Sequence, residues 1–377
     1  MTRELLRAST YLGERYAVCC RPVRDPMRSR FLPAVALLFV VFGGTGCRQM
    51  ISNLLKKDAG APVSTVATAT AMTTTTATPT STGPADLSSD PALAKNLSQH
   101  EADCASGDMS ACNSAGADYE EGHGTTVDYA QAFSLYKNAC DGKYASGCSN
   151  LGVLYSTGRT VPKNEIKAVA LYKQGCDGGS NAGCDNLGMD YRDGVGGLPH
   201  DDAKAIALFT KACDKGYAAA CTNEGYMYSK GVGVRQDGPR AVSLYQKACD
   251  GDDGQGCSNL GVRYQNGTDV VASARRAATL YEKACDKGAA DGCVYLGSLY
   301  EDGTGVSMKD PLKASTLYKQ GCDDGKTLGC ENLGRLYENG IGVARDLGEA
   351  KTLYKKACDG GDSAACTSYA TLARKGY

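Results

Sequence analysis

Sixteen of the nineteen cysteines fall into eight pairs with one internal spacing, and this lattice constrains the fold more than anything else in the chain. Cys104 pairs with Cys112, Cys140 with Cys148, Cys176 with Cys184 and Cys213 with Cys221. Further along, Cys249 pairs with Cys257, Cys285 with Cys293, Cys322 with Cys330 and Cys358 with Cys366, and successive pairs start 36 or 37 residues apart. A fixed period of this length is the signature of a stacked repeat array, so a count of globular domains from length does not apply. Metal knuckles would bring CxxC pairs or interspersed histidines, yet the chain has 3 His, none on the lattice. Disulfides are the favoured reading, and they persist only in an oxidising compartment outside the cytoplasm.

Each unit reads as two short helices. In the stretch from Cys148 to Cys184, Leu151 and Tyr155 lie four apart, and Ala168, Leu171 and Tyr172 keep the i, i+3, i+4 rule. A glycine-containing turn separates these helices, and the segment between paired cysteines makes the second turn. Two antiparallel helices joined so closely bring the cysteines within disulfide reach. Closing a loop of about nine residues removes roughly 2 to 3 kcal/mol of unfolded-chain entropy. The predicted fold is all-α, an α/α-solenoid of about seven disulfide-stapled helix pairs.

Two aromatic ladders follow the lattice. Tyr119, Tyr155, Tyr191, Tyr228, Tyr264, Tyr300 and Tyr337 each lie seven residues after a second cysteine. Tyr136, Tyr172, Phe209, Tyr245, Tyr281, Tyr318 and Tyr354 each lie four before a first cysteine. Both are expected to pack one helix pair on the next rather than to stack on a ligand. The glycine four residues after each second cysteine, from Gly116 to Gly334, is expected to mark close helix approach. Asp177, Asp214, Asp250, Asp286, Asp323 and Asp359, which follow first cysteines, are expected to accept backbone hydrogen bonds in turns rather than to hold cations.

These motifs carry a family resemblance. The pattern N-L-G-x-x-Y-x-x-G-x-G-V, followed by K-A-x-x-L-Y-x-K-A-C-D-x-G, resembles the Sel-one-like repeat, a relative of the tetratricopeptide repeat. Cysteines eight residues apart make it most similar to the cysteine-rich branch typified by the Helicobacter cysteine-rich proteins. The resemblance covers residues of roughly 100 to 377. It implies an adaptor or scaffold and, from the cysteine-rich branch, β-lactam binding or weak β-lactamase activity as the alternative. The units depart from the pattern at GVGGLPH (194–200), at TDVV (268–271), and at the end, where Ala370 and Ala373 replace Gly and Tyr in an expected capping helix.

The chain carries no complete catalytic signature. A serine β-lactamase needs S-x-x-K with S-D-N and K-T-G. Only Ser134 and Lys137 match, and they occupy ordinary lattice positions. His100, His123 and His200 are expected to be scattered surface residues, too few for a metallo-β-lactamase centre. Paired cysteines leave no nucleophile. No catalytic residue, metal ligand or cofactor is therefore assigned. Lys and Arg (41) balance Asp and Glu (42), which argues against a nucleic-acid partner.

The N-terminal region points to export. Residues 31–43 form an apolar run preceded by Arg28 and Arg30 and followed by GTG and Cys47, resembling a bacterial lipoprotein signal with Cys47 as the lipidated residue. Gly44 departs from the aliphatic residue usual there, so plain secretion is the alternative. The long basic leader makes Met27 the expected start, which leaves Cys19 and Cys20 without function. Three segments are thus expected: leader and signal over 1–47, a Thr/Ala/Ser/Pro-rich disordered tether over 48–90, and the solenoid with its cap over 91–377. The functional expectation is a periplasmic or outer-membrane-associated lipoprotein scaffold. Its partner would be an envelope protein, a peptide or a peptidoglycan fragment, with membrane contact only through the lipid.

Overall fold

The computed structural model describes residues 87–377. Met27, the apolar run, Cys47, Cys19, Cys20 and most of the expected tether lie outside the described residues. Among the described residues there are sixteen α-helices, one short 3-10 turn and no strand. In chain order they are α1 (Pro91–Ala105), α2 (Met109–Glu121), α3 (Tyr129–Asp141), α4 (Ala145–Thr157), α5 (Glu165–Asp177) and α6 (Asn181–Asp193). Next come α7 (Asp202–Asp214), α8 (Ala218–Lys230), α9 (Gly238–Asp250), α10 (Gly254–Asn266) and α11 (Ala274–Asp286). The array finishes with α12 (Ala290–Asp302), α13 (Pro311–Asp323), α14 (Thr327–Asn339), α15 (Leu347–Asp359) and α16 (Ser363–Arg374).

Local chemistry sets these boundaries. Asp128, Asn164, Asp201, Asp237, Ser273, Asp310 and Asp346 cap α3 and every later odd helix up to α15, each side chain accepting from backbone N–H groups of the first turn. Even helices α2 to α14 stop at a left-handed glycine; Gly122, for example, has φ 76° and donates to the Asp118 carbonyl. The same logic moves one expected boundary. Leu87–Ser89 form the 3-10 turn, Gly124 N–H donates to the Leu87 carbonyl at 3.0 Å, and Asp90 caps α1. These four residues belong to the folded body, although composition put them in the tether.

Sequential helices pack as antiparallel neighbours. From α2 to α12 each even helix also touches the next even helix, while consecutive odd helices make no comparable contact. The even helices therefore form the inner row of the stack.

All eight cysteine pairs are disulfides, with Cα atoms 4.4 to 4.7 Å apart. Cys104, Cys140, Cys176, Cys213, Cys249, Cys285, Cys322 and Cys358 each stand one residue before the end of an odd helix. Their partners Cys112, Cys148, Cys184, Cys221, Cys257, Cys293, Cys330 and Cys366 each stand in the first turn of the even helix that follows. The expected pairing is therefore the observed one, but its placement is finer than a staple across a hairpin. Each bond clamps the tight turn where the chain reverses from an odd helix into an even one.

The second aromatic ladder forms the spine of the core: Tyr136, Phe209, Tyr281 and Tyr318 are at most 2% exposed. Each ring lies on the lattice glycine of the preceding helix. A Cβ at Gly152 would stand 2.7 Å from Tyr172, so this glycine is required by approach distance. The hydroxyls find partners on the preceding even helix: Tyr136 donates to Glu120, Tyr172 to Ser156, Tyr281 to Gln265, Tyr318 to Glu301 and Tyr354 to Glu338. Where Phe209 replaces Tyr, the matching position is Arg192, which turns to Asp193 at 2.7 Å instead.

Candidate binding face of the solenoid

The inner row carries a line of asparagines that sequence reasoning passed over. Two residues after the second cysteine stand Asn150, Asn186, Asn223, Asn259 and Asn332, with Ser114 and Tyr295 in the other two repeats. A residue at this point of an even helix faces along the stack, because Asn150 Nδ2 donates to Asn113 of the previous even helix at 2.9 Å. Asn223 likewise donates to Asp185 at 2.8 Å. Asn186 and Asn332 are half-buried and have no side-chain partner among the described residues. One helical turn further on, the residues differ from repeat to repeat: Ala117, Val153, Met189, Tyr226, Val262, Ser298 and Arg335. The signal was present in the N of the N-L-G motif, but a pattern alone does not say which side of a helix faces its neighbour.

Polar groups concentrate in the middle of this row. Glu224 occupies the position held by Leu151, Leu187, Leu260, Leu296 and Leu333 elsewhere, and it is 1% exposed. Its carboxylate accepts from Arg240 at 3.2 Å, and that guanidinium lies over the Tyr228 ring with 4.1 Å to the centroid. Thr222 donates to Asp253 at 2.8 Å. Burial pushes the Asp185 carboxyl up to about 7 despite its bond from Asn223. Asp190 is also pushed up to about 7, first by burial and then by the charges of Glu165 and Asp193. Burial raises Asp253 as well.

The first aromatic ladder is less buried than its twin but packs between helix pairs as expected, Tyr155, Tyr191, Tyr264 and Tyr300 each lying against two core clusters. Its rings are half-buried, and five consecutive ones carry a cation from the next helix: Lys167 on Tyr155, Lys204 on Tyr191, Arg240 on Tyr228, Arg276 on Tyr264 and Lys313 on Tyr300. They pack at the edge of the stack, with one face already covered.

Two expectations change on this geometry. His100 and His123 are not scattered, because both turn to Asp118, at 2.7 and 3.8 Å, and His123 also approaches Glu121 at 3.4 Å. His100 stands on α1 four residues before Cys104, and His123 follows α2, so only the packing of these two helices brings both to one carboxylate. His200 alone stays apart, bonded to the Arg192 carbonyl and to Asp202. The aspartates after first cysteines do not cap turns through backbone hydrogen bonds. They close odd helices, and Asp141, Asp323 and Asp359 pair with the lysines four residues earlier at 2.5, 2.5 and 2.6 Å. Ser134 and Lys137 lie exposed on α3, and Lys137 is committed to Asp141. Among the described residues no group of three or more His, Cys, Asp or Glu is arranged to hold a metal ion.

Helix pairs stacked on a tyrosine spine and stapled at every junction define a disulfide-braced α/α-solenoid. The chain belongs to the Sel1 repeat family, whose description matches residues 110–144, 145–180, 182–217, 218–253, 254–288, 290–326 and 327–362. In that register every disulfide crosses a boundary. Cys140 ends one repeat and Cys148 begins the next, Cys213 is joined in the same way to Cys221, Cys285 to Cys293 and Cys322 to Cys330. The first and last pairs tie α1 and α16 to the array.

No curated protein sequence matches the chain. Among solved structures it is similar to a protective antigen of uropathogenic Escherichia coli, at 29% identity and TM-score 0.53, over 74% of this chain and 60% of that one. The chain thus spans 60% of that antigen's length. A Sel1 repeat protein from Oxalobacter formigenes aligns at 23% identity and TM-score 0.53, covering 59% of this chain and 92% of its own. Cysteine rich protein B of Helicobacter pylori is 31% identical over 36% of this chain and 98% of its own, with TM-score 0.30. The fold is a scaffold for protein interaction, and its disulfide load belongs to an oxidising, extracytoplasmic compartment.

Proposed function

We propose that this protein is an exported, lipid-anchored scaffold that holds a polypeptide of the bacterial cell envelope along its even-helix face. The observation that carries the reading is the asparagine row, with Asn186 and Asn332 unpaired on the inner helices. A side-chain amide both donates and accepts, as does each residue of an extended backbone, so such a row can hold a chain without regard to its sequence. Selection then falls to the variable neighbours such as Met189, Tyr226 and Arg335. An unfolded segment of an envelope protein, a free peptide and the peptide stem of peptidoglycan all offer this amide chemistry. Anchoring rests on the lipoprotein-like run ending at Cys47, and the Thr/Ala-rich stretch after it would serve as the tether.

Photo-crosslinking tests the face directly. A photoreactive residue at Asn186 in the full-length protein should trap a discrete envelope partner. The same residue at Lys173, exposed on odd helix α5, should trap none. Equal capture at both positions, or none at either, would reject the assignment of the face. Cys47→Ala is expected to move the protein from the membrane to the soluble fraction and to abolish lipid labelling; unchanged fractionation would reject the anchor. No observation favours the β-lactam reading, since Ser134 lies in the open and Lys137 is already ion-paired.

A further inference from the structure

The eight disulfides are not equally sheltered. Fourteen of their cysteines are at most 7% exposed, whereas Cys358 and Cys366 are both partly exposed. Earlier junctions show what provides the shelter. At several of them the odd helix after the even one lays a side chain across the preceding disulfide or the carbonyl beside it. Asn138 of α3 lies 3.7 and 3.5 Å from the sulfurs of Cys104 and Cys112. Lys211 of α7 reaches the Cys176 sulfur at 3.6 Å and its carbonyl at 3.3 Å, and Lys283 of α11 reaches the Cys249 carbonyl at 2.6 Å.

Helix α16 departs from the lattice at the positions that seat the following helix elsewhere. At each earlier junction the ring of the following odd helix lies 2.5 to 3.0 Å from where a Cβ on the lattice glycine would stand. Ala370 carries that Cβ, so the slot is filled by its own methyl group. Ala373 also replaces the ring that carries the cation in the repeats. The hold on α16 is correspondingly light: Ala365 and Leu372 are its only buried residues.

We propose that Cys358–Cys366 is a thiol-exchange site, the position at which a thiolate of a partner protein or of a small thiol attaches covalently to this otherwise sealed array. The incoming sulfur attacks Cys358 Sγ, and a new S–S bond forms as the Cys358–Cys366 bond breaks. The electron pair leaves on Cys366 Sγ, which takes a proton from water if it is not held as the thiolate. The attacking thiol has given its own proton to solvent, so no net oxidant or reductant is consumed. Cys366 is the leaving group because it lies in the first turn of α16, at the positive end of that helix's dipole, whereas Cys358 lies at the negative end of α15. The Ala364 and Ala365 N–H groups of that turn are already bonded to the Asp362 carboxylate, so the dipole alone supplies the preference. Every junction shares that polarity; accessibility singles out the last.

The test uses the full-length protein in a graded series of reduced glutathione at neutral pH, quenched with an alkylating agent and mapped by peptide mass spectrometry. Cys358 and Cys366 are expected to open first, at least about tenfold faster than any other repeat cysteine, with the glutathione adduct on Cys358. Cys358→Ser with Cys366→Ser should abolish the fast phase and leave the other seven disulfides and the far-UV helical signal in place. Uniform opening, earlier opening of another pair, an adduct confined to Cys366, or a fast phase that survives in the double variant would each overturn the proposal.

Discussion

Tyr281 lies so tightly over Gly261 that a Cβ on the glycine would stand 2.5 Å from the ring. Tyr281 is fully buried and its hydroxyl donates to Gln265 at 2.6 Å, so the ring has no room to retreat without breaking that bond. Gly261→Ala is therefore expected to destabilise the array by about 1 to 3 kcal/mol despite the better helix propensity of alanine. Urea unfolding followed by circular dichroism measures it, and an unchanged midpoint would mean that the spine is looser than this contact implies.

Glu224 and Arg240 offer a second test. The carboxylate is buried where other repeats place leucine, whereas the Arg240 side chain is 49% exposed and can return to water when its partner is removed. Glu224→Leu is expected to be neutral or to stabilise by about 1 kcal/mol, while Glu224→Ala leaves a cavity and costs about 2 kcal/mol. Thermal melts of the two variants should move in opposite directions, or the leucine variant should not move at all. A large loss in both would show that the ion pair itself holds the repeat.

Asp185 predicts a pH dependence with a definite sign. Its folded carboxyl is pushed up to about 7 by burial, above the ordinary carboxylate value it has when unfolded, so the folded state binds the extra proton between those limits. Stability should fall as pH rises from about 4 to 7, with Asp190 acting in the same direction. Asp185→Asn keeps an acceptor for Asn223 and removes the titration. Its melting temperature should exceed that of the parent at pH 8, and the difference should vanish near pH 4. A constant offset across that range would contradict the burial account.

The boundary-crossing disulfides should govern cooperativity. Replacing both Cys249 and Cys257 with alanine opens a loop of sequence separation 8 in the middle of the array, at a cost of roughly 2 to 3 kcal/mol. Because each repeat contacts only its neighbours, the loss should weaken one junction and split a single unfolding transition into two. Hydrogen exchange should show α9 and α10 losing protection first. A single transition shifted as a whole would instead mean that packing alone couples the repeats.

Much of the architecture was legible in the sequence because its causes are local and repeated. The cysteine spacing set the period, the glycines marked the turns, and the fit of glycine to aromatic ring appeared as two residues kept in step over seven units. Other features were not legible, since they depend on which faces meet. The twin tyrosine ladders look alike in sequence, yet Tyr281 is sealed in the core while Tyr264 lies at the edge under Arg276. The capping aspartates at Asp128 and Asp237 are readable signals that went unread.

By itself the sequence determined the helix pair, its period, its cysteine pairing and the break at Ala370, because each follows from the spacing of residues along one chain. Only the tertiary structure decided that the even helices form the inner row, that Asn186 and Asn332 stand on it unpaired, that His100 meets His123 on Asp118, and that one disulfide of eight is left uncovered. The physical reason is the same in each case. Burial and partnership are properties of the space between elements, and a repeating sequence specifies its neighbours only after the repeats have stacked.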